Sequence, residues 1–240
     1  MSLSGQRVVI IGGTSGIGFA VAEGAAAAGA SVVLASSDAG KVAAAAARLP
    51  GAQGLAIDVT DEVAVAAALA GLGGFHHLAF TAGDWGGPRR APLAELDLEA
   101  ARGVFAVRFW GALAVVKHAH GQIAPGGSIT LTDGMIAHRP SKGSAVSTAM
   151  AGAVEHLTRG LAVELAPVRV NAVCPGLIRT GVWDSIPEDR RDEQLSRMTA
   201  RQPLARVGEP QEAAEAYLYL MRGGYTTGQV LRVDGGTSVV

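Results

Sequence analysis

The chain alternates short apolar, often β-branched runs with longer stretches in which alanine and leucine recur at helical spacing. The runs at 7–11, 31–35, 53–57, 77–81, 128–132, 168–173 and 229–233 are too short for helices and predict strands. The stretches at 16–28, 40–49, 62–72, 96–120, 144–165 and 210–221 predict helices. Strands that are apolar on both faces, each followed by a helix, call for a parallel sheet covered on both sides. The expected fold is therefore α/β, a doubly wound parallel sheet of seven strands. Residues 180–207 break the pattern with Pro187, Pro203 and a dense charged patch at 188–193. That region is expected to be a substrate lid on a single domain spanning 1–240.

A chain of 240 residues can bury a substantial core. Its formal charge of −1 gives no electrostatic reason to bind nucleic acid or an anionic membrane. Cys174 is the lone cysteine, which excludes an internal disulfide and fits a reducing compartment. No signal-peptide pattern opens the sequence, and no apolar run reaches the ~18 residues of a membrane span. A cytoplasmic protein is expected. His76, His77, His118 and His120 fall at element ends, where solvent-facing roles are the default, and they form no metal-ligand pattern. No metal is expected.

The candidate chemistry starts at the first strand–helix junction, Ile11-Gly12-Gly13-Thr14-Ser15-Gly16-Ile17-Gly18. Glycines at such a turn let the backbone bend tightly, approach a pyrophosphate and pack helix against strand. The helix N-terminus behind them offers free N–H donors and a partial positive charge. Gly12, Thr14, Ser15, Gly16, Ile17 and Gly18 are thus the candidate phosphate cradle of a Rossmann-like dinucleotide site.

Further motifs occur in order: Asp58-Val59-Thr60-Asp61, Ala82-Gly83, Arg169 to Gly176 with Thr180, and Thr227-Gly228-Gln229 running to Asp234-Gly235-Gly236. On these the chain resembles the short-chain dehydrogenase/reductase family over essentially its whole length. The resemblance implies that Asp58 and Val59 contact the adenine and that Ala82 and Gly83 line the dinucleotide. It also implies that Pro175, Gly176, Ile178 and Thr180 hold the nicotinamide carboxamide. At the end of the second strand, Ser36-Ser37 stand where a carboxylate would bind ribose hydroxyls and repel a 2′-phosphate. NADP(H) is the expected cofactor, with NAD(H) the alternative, although the arginine often found near Ser37 in NADP-dependent relatives is missing.

The resemblance also implies a catalytic asparagine, serine, tyrosine and lysine, and here this chain departs. The corresponding positions carry Arg108, Asp133 (or, in a less favoured alignment, Gly134), Ser147 and Ala151, and no tyrosine precedes Tyr217. Carbonyl reduction by hydride leaves an alkoxide that needs a proton, and serine is too weak an acid to give it. Arg108 and Asp133 are expected to form a charge-assisted pair near the hydride-transfer site. A carboxylate there would stabilise an iminium ion, which accepts hydride without a proton; with a raised pKa it would instead protonate a neutral imine. A looser resemblance links this chain to a branch without the tetrad that includes fungal alkaloid iminium reductases. The expected activity is NADP(H)-dependent hydride transfer to a neutral or cationic C=N bond of a small molecule. The alternatives are a silent dinucleotide-binding sensor or scaffold, a carbonyl reductase with an unusual proton donor, or another reaction with Asp133 as base. His138 is a weaker catalytic candidate, and Trp85 and Trp183 are candidates for stacking on a cation or covering the lid. Association into a homodimer or homotetramer is implied by resemblance, through the small-residue helices that include Ala149, Gly152 and Gly160.

Overall fold

Alternation of side chains along each strand assigns the core to two layers. Val9, Ile11, Val33 and Ala35 face one side of the sheet, and Val8, Ile10, Val32 and Leu34 face the other. A computed structural model describes residues 2–83 and 91–240. Its strands are β1 (Arg7–Ile11), β2 (Ser31–Ser36), β3 (Gln53–Ala56), β4 (Phe75–Phe80), β5 (Ile123–Thr132), β6 (Arg169–Pro175) and β7 (Val230–Val233). All pair in parallel in the order β3-β2-β1-β4-β5-β6-β7. The expected fold is observed. Among the described residues the helices are α1 (Gly16–Ala27), α2 (Ala39–Arg48), α3 (Glu62–Ala70), α4 (Leu98–Arg102), α5 (Ala112–Ala119), α6 (Ala145–Glu164), α7 (Glu188–Thr199) and α8 (Pro210–Arg222). Side chains of α1, α2 and α8 pack on one face of the sheet, those of α3, α5 and α6 on the other. No helix among the described residues is long and apolar enough to cross a membrane.

The chain runs from β1 outward to β3, then returns to place β4 on the opposite side of β1. Strand order therefore reverses between β1 and β4, and the carboxyl ends of these strands open a crevice.

Three expectations are corrected. The single helix at 96–120 is broken into α4, a 3₁₀ turn (Gly103–Phe105), a π turn (Ala106–Gly111) and α5. Gly111, at the end of the π turn, lets it pack closely on Val59, because a Cβ there would lie 2.7 Å from Val59 Cγ2. The wider π turn carries Arg108, an arrangement frequent at functional sites. Second, the region at 180–207, where the spacing predicts no helix, contains one, α7, with Glu188 and Asp189 in its first turn, where the helix dipole favours acids. Third, His77 does not face solvent. It is 2% exposed, with Nδ1 2.8 Å from Ser128 Oγ and Nε2 2.8 Å from Gln6 Oε1. Burial, with smaller contributions from the Arg169 and His76 charges, lowers its pKa to about 4. Trp85 lies outside the described residues.

Candidate functional site

The glycine turn is built against the end of β4. Thr81 and Ala82 both donate backbone N–H groups to Ile11 O, at 2.7 and 3.0 Å. Gly12 has φ +87, and a Cβ on it would run into the backbone of Ala82. A Cβ at Gly18 would collide with Gly12 O and Thr81 Oγ1, so this glycine permits the helix–strand contact that the spacing predicts. Ser15 caps α1 in extended geometry without a side-chain hydrogen bond, and the first turn holds no acid. The leading N–H groups of α1 are thus left for an anionic ligand. A pyrophosphate fits this cradle.

The segment after β6 closes over the same turn. Thr180 stands beside Gly16, within 3.1 Å of where a Cβ would be. Gly208 N donates to Leu177 O and Arg179 N to Gly208 O, a parallel bridge that turns the N–H and C=O of Ile178 the other way. Trp183 Nε1 donates to Ile178 O at 2.7 Å, so Trp183 pins this loop. Gly176 is required by close approach, since a Cβ would meet Asp234 Cα at 2.7 Å. Gly16, Thr180 and Gly181 also line a cavity of about 440 Å³ with Phe19, Trp183 and Arg191.

At the adenosine end, Ser37 is exposed and Ser36 half-buried. Asp38 is committed to the N-terminus of α2, accepting from Lys41 N at 3.0 Å, and that bond lowers its pKa. Asp58 accepts from Thr60 N and Oγ1 at 2.9 and 2.7 Å, which holds its carboxyl below the ordinary range. Val59 is buried against Gly111, and Gly83 is exposed.

Arg108 and Asp133 do meet, but not as expected. Arg108 Nη1 donates to the main-chain carbonyl of Asp133 at 3.2 Å, and the two side chains form no ion pair. Gly83 makes room for the guanidinium, because a Cβ there would lie 2.5 Å from Arg108 Nη2. The Asp133 carboxyl continues the alternation of β5: Thr132 faces α8, bonding Tyr217 Oη at 2.6 Å, and Asp133 faces α6. It is 1% exposed and lies with Glu155 of α6, Cys174 of β6 and His138, all with ligand-type atoms within 4.8 Å of one another. Burial, reinforced by hydrogen bonding to Glu155, pushes its pKa up to about 8. Instead of an aspartate paired with arginine, the site has a carboxyl buried against a second carboxyl, with its pKa raised.

Glu155 is the functional candidate that sequence reasoning missed. Burial alone would raise its pKa, but the Asp133 hydrogen bond and the His138 and Arg159 charges outweigh burial and lower it. His138 Nε2 lies 2.5 Å from Glu155 Oε1, and Arg159 Nη2 3.7 Å from Oε2. Burial, with the Asp133 charge adding to it, pushes the Cys174 thiol far up, so it is no nucleophile. A signal was available: Ser147, Ala151 and Glu155 are four apart and share the buried face of α6. The positions matching tyrosine and lysine are thus filled by a 7% and a 1% exposed small residue, Ser147 and Ala151. The four clustered groups are of metal-ligating type. Two donors on one tetrahedral zinc, however, stand about 3.3 Å apart, and His138 and Glu155 are closer than that. His138 and Glu155 would therefore have to move apart to share one tetrahedral ion.

Comparisons with known proteins agree with this geometry. The family model described as enoyl-(acyl carrier protein) reductase matches residues 12–238. The short-chain dehydrogenase/reductase malC of Malbranchea aurantiaca is 36% identical over 252 aligned residues, covering 98% of this chain and 95% of that protein. The solved MalC reductase/Diels-Alderase superposes with a TM-score of 0.89 at 35% identity, covering 99% of this chain and 97% of that one. A short-chain oxidoreductase from Pseudomonas aeruginosa PAO1, solved with NADPH and containing an atypical catalytic center, gives 0.91 at 31% identity over 100% and 99% of the two chains. A small-chain dehydrogenase in complex with NADPH gives 0.85 at 34% identity over 98% and 99%. With the glycine turn, the strand order and the closing segment at 176–180 all in place, the chain belongs to the short-chain dehydrogenase/reductase family.

Proposed function

We propose that this protein is an NADP(H)-dependent oxidoreductase that reduces a C=N bond, with Asp133 as proton source for a neutral imine. The NADP(H) reading is supported by Ser36 and Ser37 at the end of β2, by the diversion of Asp38 into the α2 cap, and by NADPH in two solved relatives. When bound, NADPH supplies the hydride. Gly12, Thr14, Ser15, Gly16, Ile17 and Gly18 would hold its pyrophosphate, Asp58, Val59, Ala82 and Gly83 its adenosine side, and Pro175, Gly176, Ile178 and Thr180 its nicotinamide.

The observation that carries the chemical reading is a carboxyl just past β5 buried against Glu155, an environment that raises its pKa to about 8 and favours its protonated form. An acid with a pKa near the working pH is the effective kind, and an imine nitrogen needs only one proton to become an iminium ion. Arg108 donates to the carbonyl of the same residue. The carboxyl is 1% exposed, so delivery requires its side chain to turn from α6 toward the substrate. That burial also favours a second reading, a silent dinucleotide binder. A homo-oligomer stays part of the proposal: Gly152 and Gly160 on α6 face open space.

NADPH oxidation by the purified protein should be followed with a cyclic imine, its N-methyl iminium salt and the matched ketone. Consumption of the C=N compounds in preference to the ketone is expected. Faster ketone turnover would replace this reading with carbonyl reduction, and tight NADPH binding without turnover would establish the silent binder.

A further inference from the structure

Asp133 is buried against Glu155 rather than pointed at the cleft, and this side of the pair reaches solvent. Neither Asp133 carboxyl oxygen, nor Glu155 Oε1, nor His138 Nε2 has a well-aligned hydrogen-bond partner. Two facing carboxyls without a donor between them are costly to bury, and a proton held by one of them supplies the missing donor. Beyond Glu155, His138 Nε2 lies 2.5 Å from Oε1, and the His138 side chain is 21% exposed. Arg232 Nη2 approaches His138 Nδ1 at 3.3 Å. A guanidinium can only donate, so Nδ1 accepts and the ring proton sits on Nε2, the nitrogen close to Glu155, where a small turn of the ring would align it with Oε1.

Each element packed around the pair contributes to its charge environment. Cys174 faces it from β6, Arg159 from the next turn of α6, and Arg232 from β7 by way of His138. A neutral thiol and cations near Glu155 leave the second carboxyl ionised beside the protonated first. That asymmetry is what a directional transfer between two carboxyls needs.

We propose that the conformation seen here is the loading position of a proton relay, in which His138 and Glu155 recharge Asp133 from solvent. The inference rests on the reading of Asp133 as proton source. In delivery the Asp133 O–H bond breaks and an N–H bond forms on the imine, leaving an aspartate. Once that carboxylate returns to α6, His138 Nδ1, released by Arg232, takes a proton from water or a buffer acid. The imidazolium gives its Nε2 proton to the ionised Glu155, and Glu155 passes a proton to Asp133. The ring, left protonated on Nδ1, returns to the Nε2 tautomer by exchange with solvent, so one proton enters for each proton delivered and no electrons move. Glu155 and His138 would then be positioning and relay groups that never touch the substrate.

The test uses Glu155→Gln and His138→Ala in the full-length protein, with the neutral imine and the N-methyl iminium, which needs no proton. For both variants the ratio of steady-state imine to iminium turnover is expected to fall by roughly 10²-fold, the lower end of the range for general acid–base catalysis. The first imine turnover, drawn from the proton already on Asp133, should keep its wild-type rate. Added imidazole should restore the His138→Ala ratio. Infrared spectra of the protein alone supply a readout that does not depend on activity. A protonated-carboxyl band present at pH 6 should vanish in Asp133→Asn and exchange more slowly with D₂O in Glu155→Gln. An imine/iminium ratio within about twofold of wild type would overturn the relay while leaving Asp133 as proton source. Equal losses on both substrates would overturn it in favour of a structural role. Wild type inert toward both compounds would overturn the parent reading and the relay with it.

Discussion

Replacing Asp133 with asparagine removes a titrating proton while nearly conserving shape, so it isolates one claim: that the native protein holds this carboxyl protonated. The ordinary value for the carboxyl is 3.8, and in the folded chain it is about 8. An acid whose folded pKa is raised keeps a proton that the unfolded chain releases. Its contribution is complete at low pH and is lost as the pH climbs from about 4 toward 8. In that window the limiting slope is about 1.4 kcal/mol per pH unit, so between pH 5 and 7 wild type should lose at most about 3 kcal/mol through this group. Glu155, with its lowered pKa, is ionised in both states across the window, and Cys174, pushed up, is protonated in both. His77 titrates in the opposite sense, since its folded pKa is lowered and unfolding takes up a proton. The quantity to read is therefore the difference between wild type and variant. Urea denaturation or calorimetry at half-unit steps from pH 5 to 7 is the assay. For a chain of this size a 3 kcal/mol change corresponds to a relative shift in Tm of roughly 6–12 °C. Parallel pH–stability curves for the two proteins would show that Asp133 is ionised in the native state and would remove the acid from the mechanism.

Three further predictions rest on other parts of the structure. Gly12→Ala should abolish measurable NADPH binding by fluorescence titration, because the new methyl meets Ala82 backbone at φ +87; retained binding within about threefold would contradict the cradle. Ser36→Asp should shift preference from NADPH toward NADH by on the order of 10-fold or more in Kd, through repulsion of the 2′-phosphate; unchanged preference would place that phosphate elsewhere. Arg169 is 8% exposed and donates to Leu220 O at 2.5 Å and Met221 O at 2.9 Å, two carbonyls of the last turn of α8. Arg169→Met should cost about 2–4 kcal/mol in urea denaturation by stranding two buried acceptors, with a loss below about 1 kcal/mol counting against the argument.

Much of the molecule was legible in one dimension. Two-sided apolar strands separated by helices allow one economical arrangement, a parallel sheet covered on both faces, and β1 and β2 keep almost their expected bounds. Glycines at 12, 16 and 18 announce the cradle because backbone geometry there admits no side chain. What the sequence could not decide is where a side chain points beyond a strand or through a change of helix type. Hydropathy does not report the ring size of a backbone hydrogen bond, so the π turn that presents Arg108 was read as ordinary helix. The resemblance puts Arg108 and Asp133 at two positions of one catalytic set, and that suggested an ion pair between them. In three dimensions the alternation past Thr132 sends the carboxyl to the α6 side and leaves only its carbonyl to the arginine. Glu155, Cys174, His138 and Arg232 come from four segments spread over nearly a hundred residues, and no local pattern joins them. Local chemistry fixed the sheet and the phosphate turn. The protonation of Asp133 depends on which distant groups share its burial, and tertiary packing alone decides that.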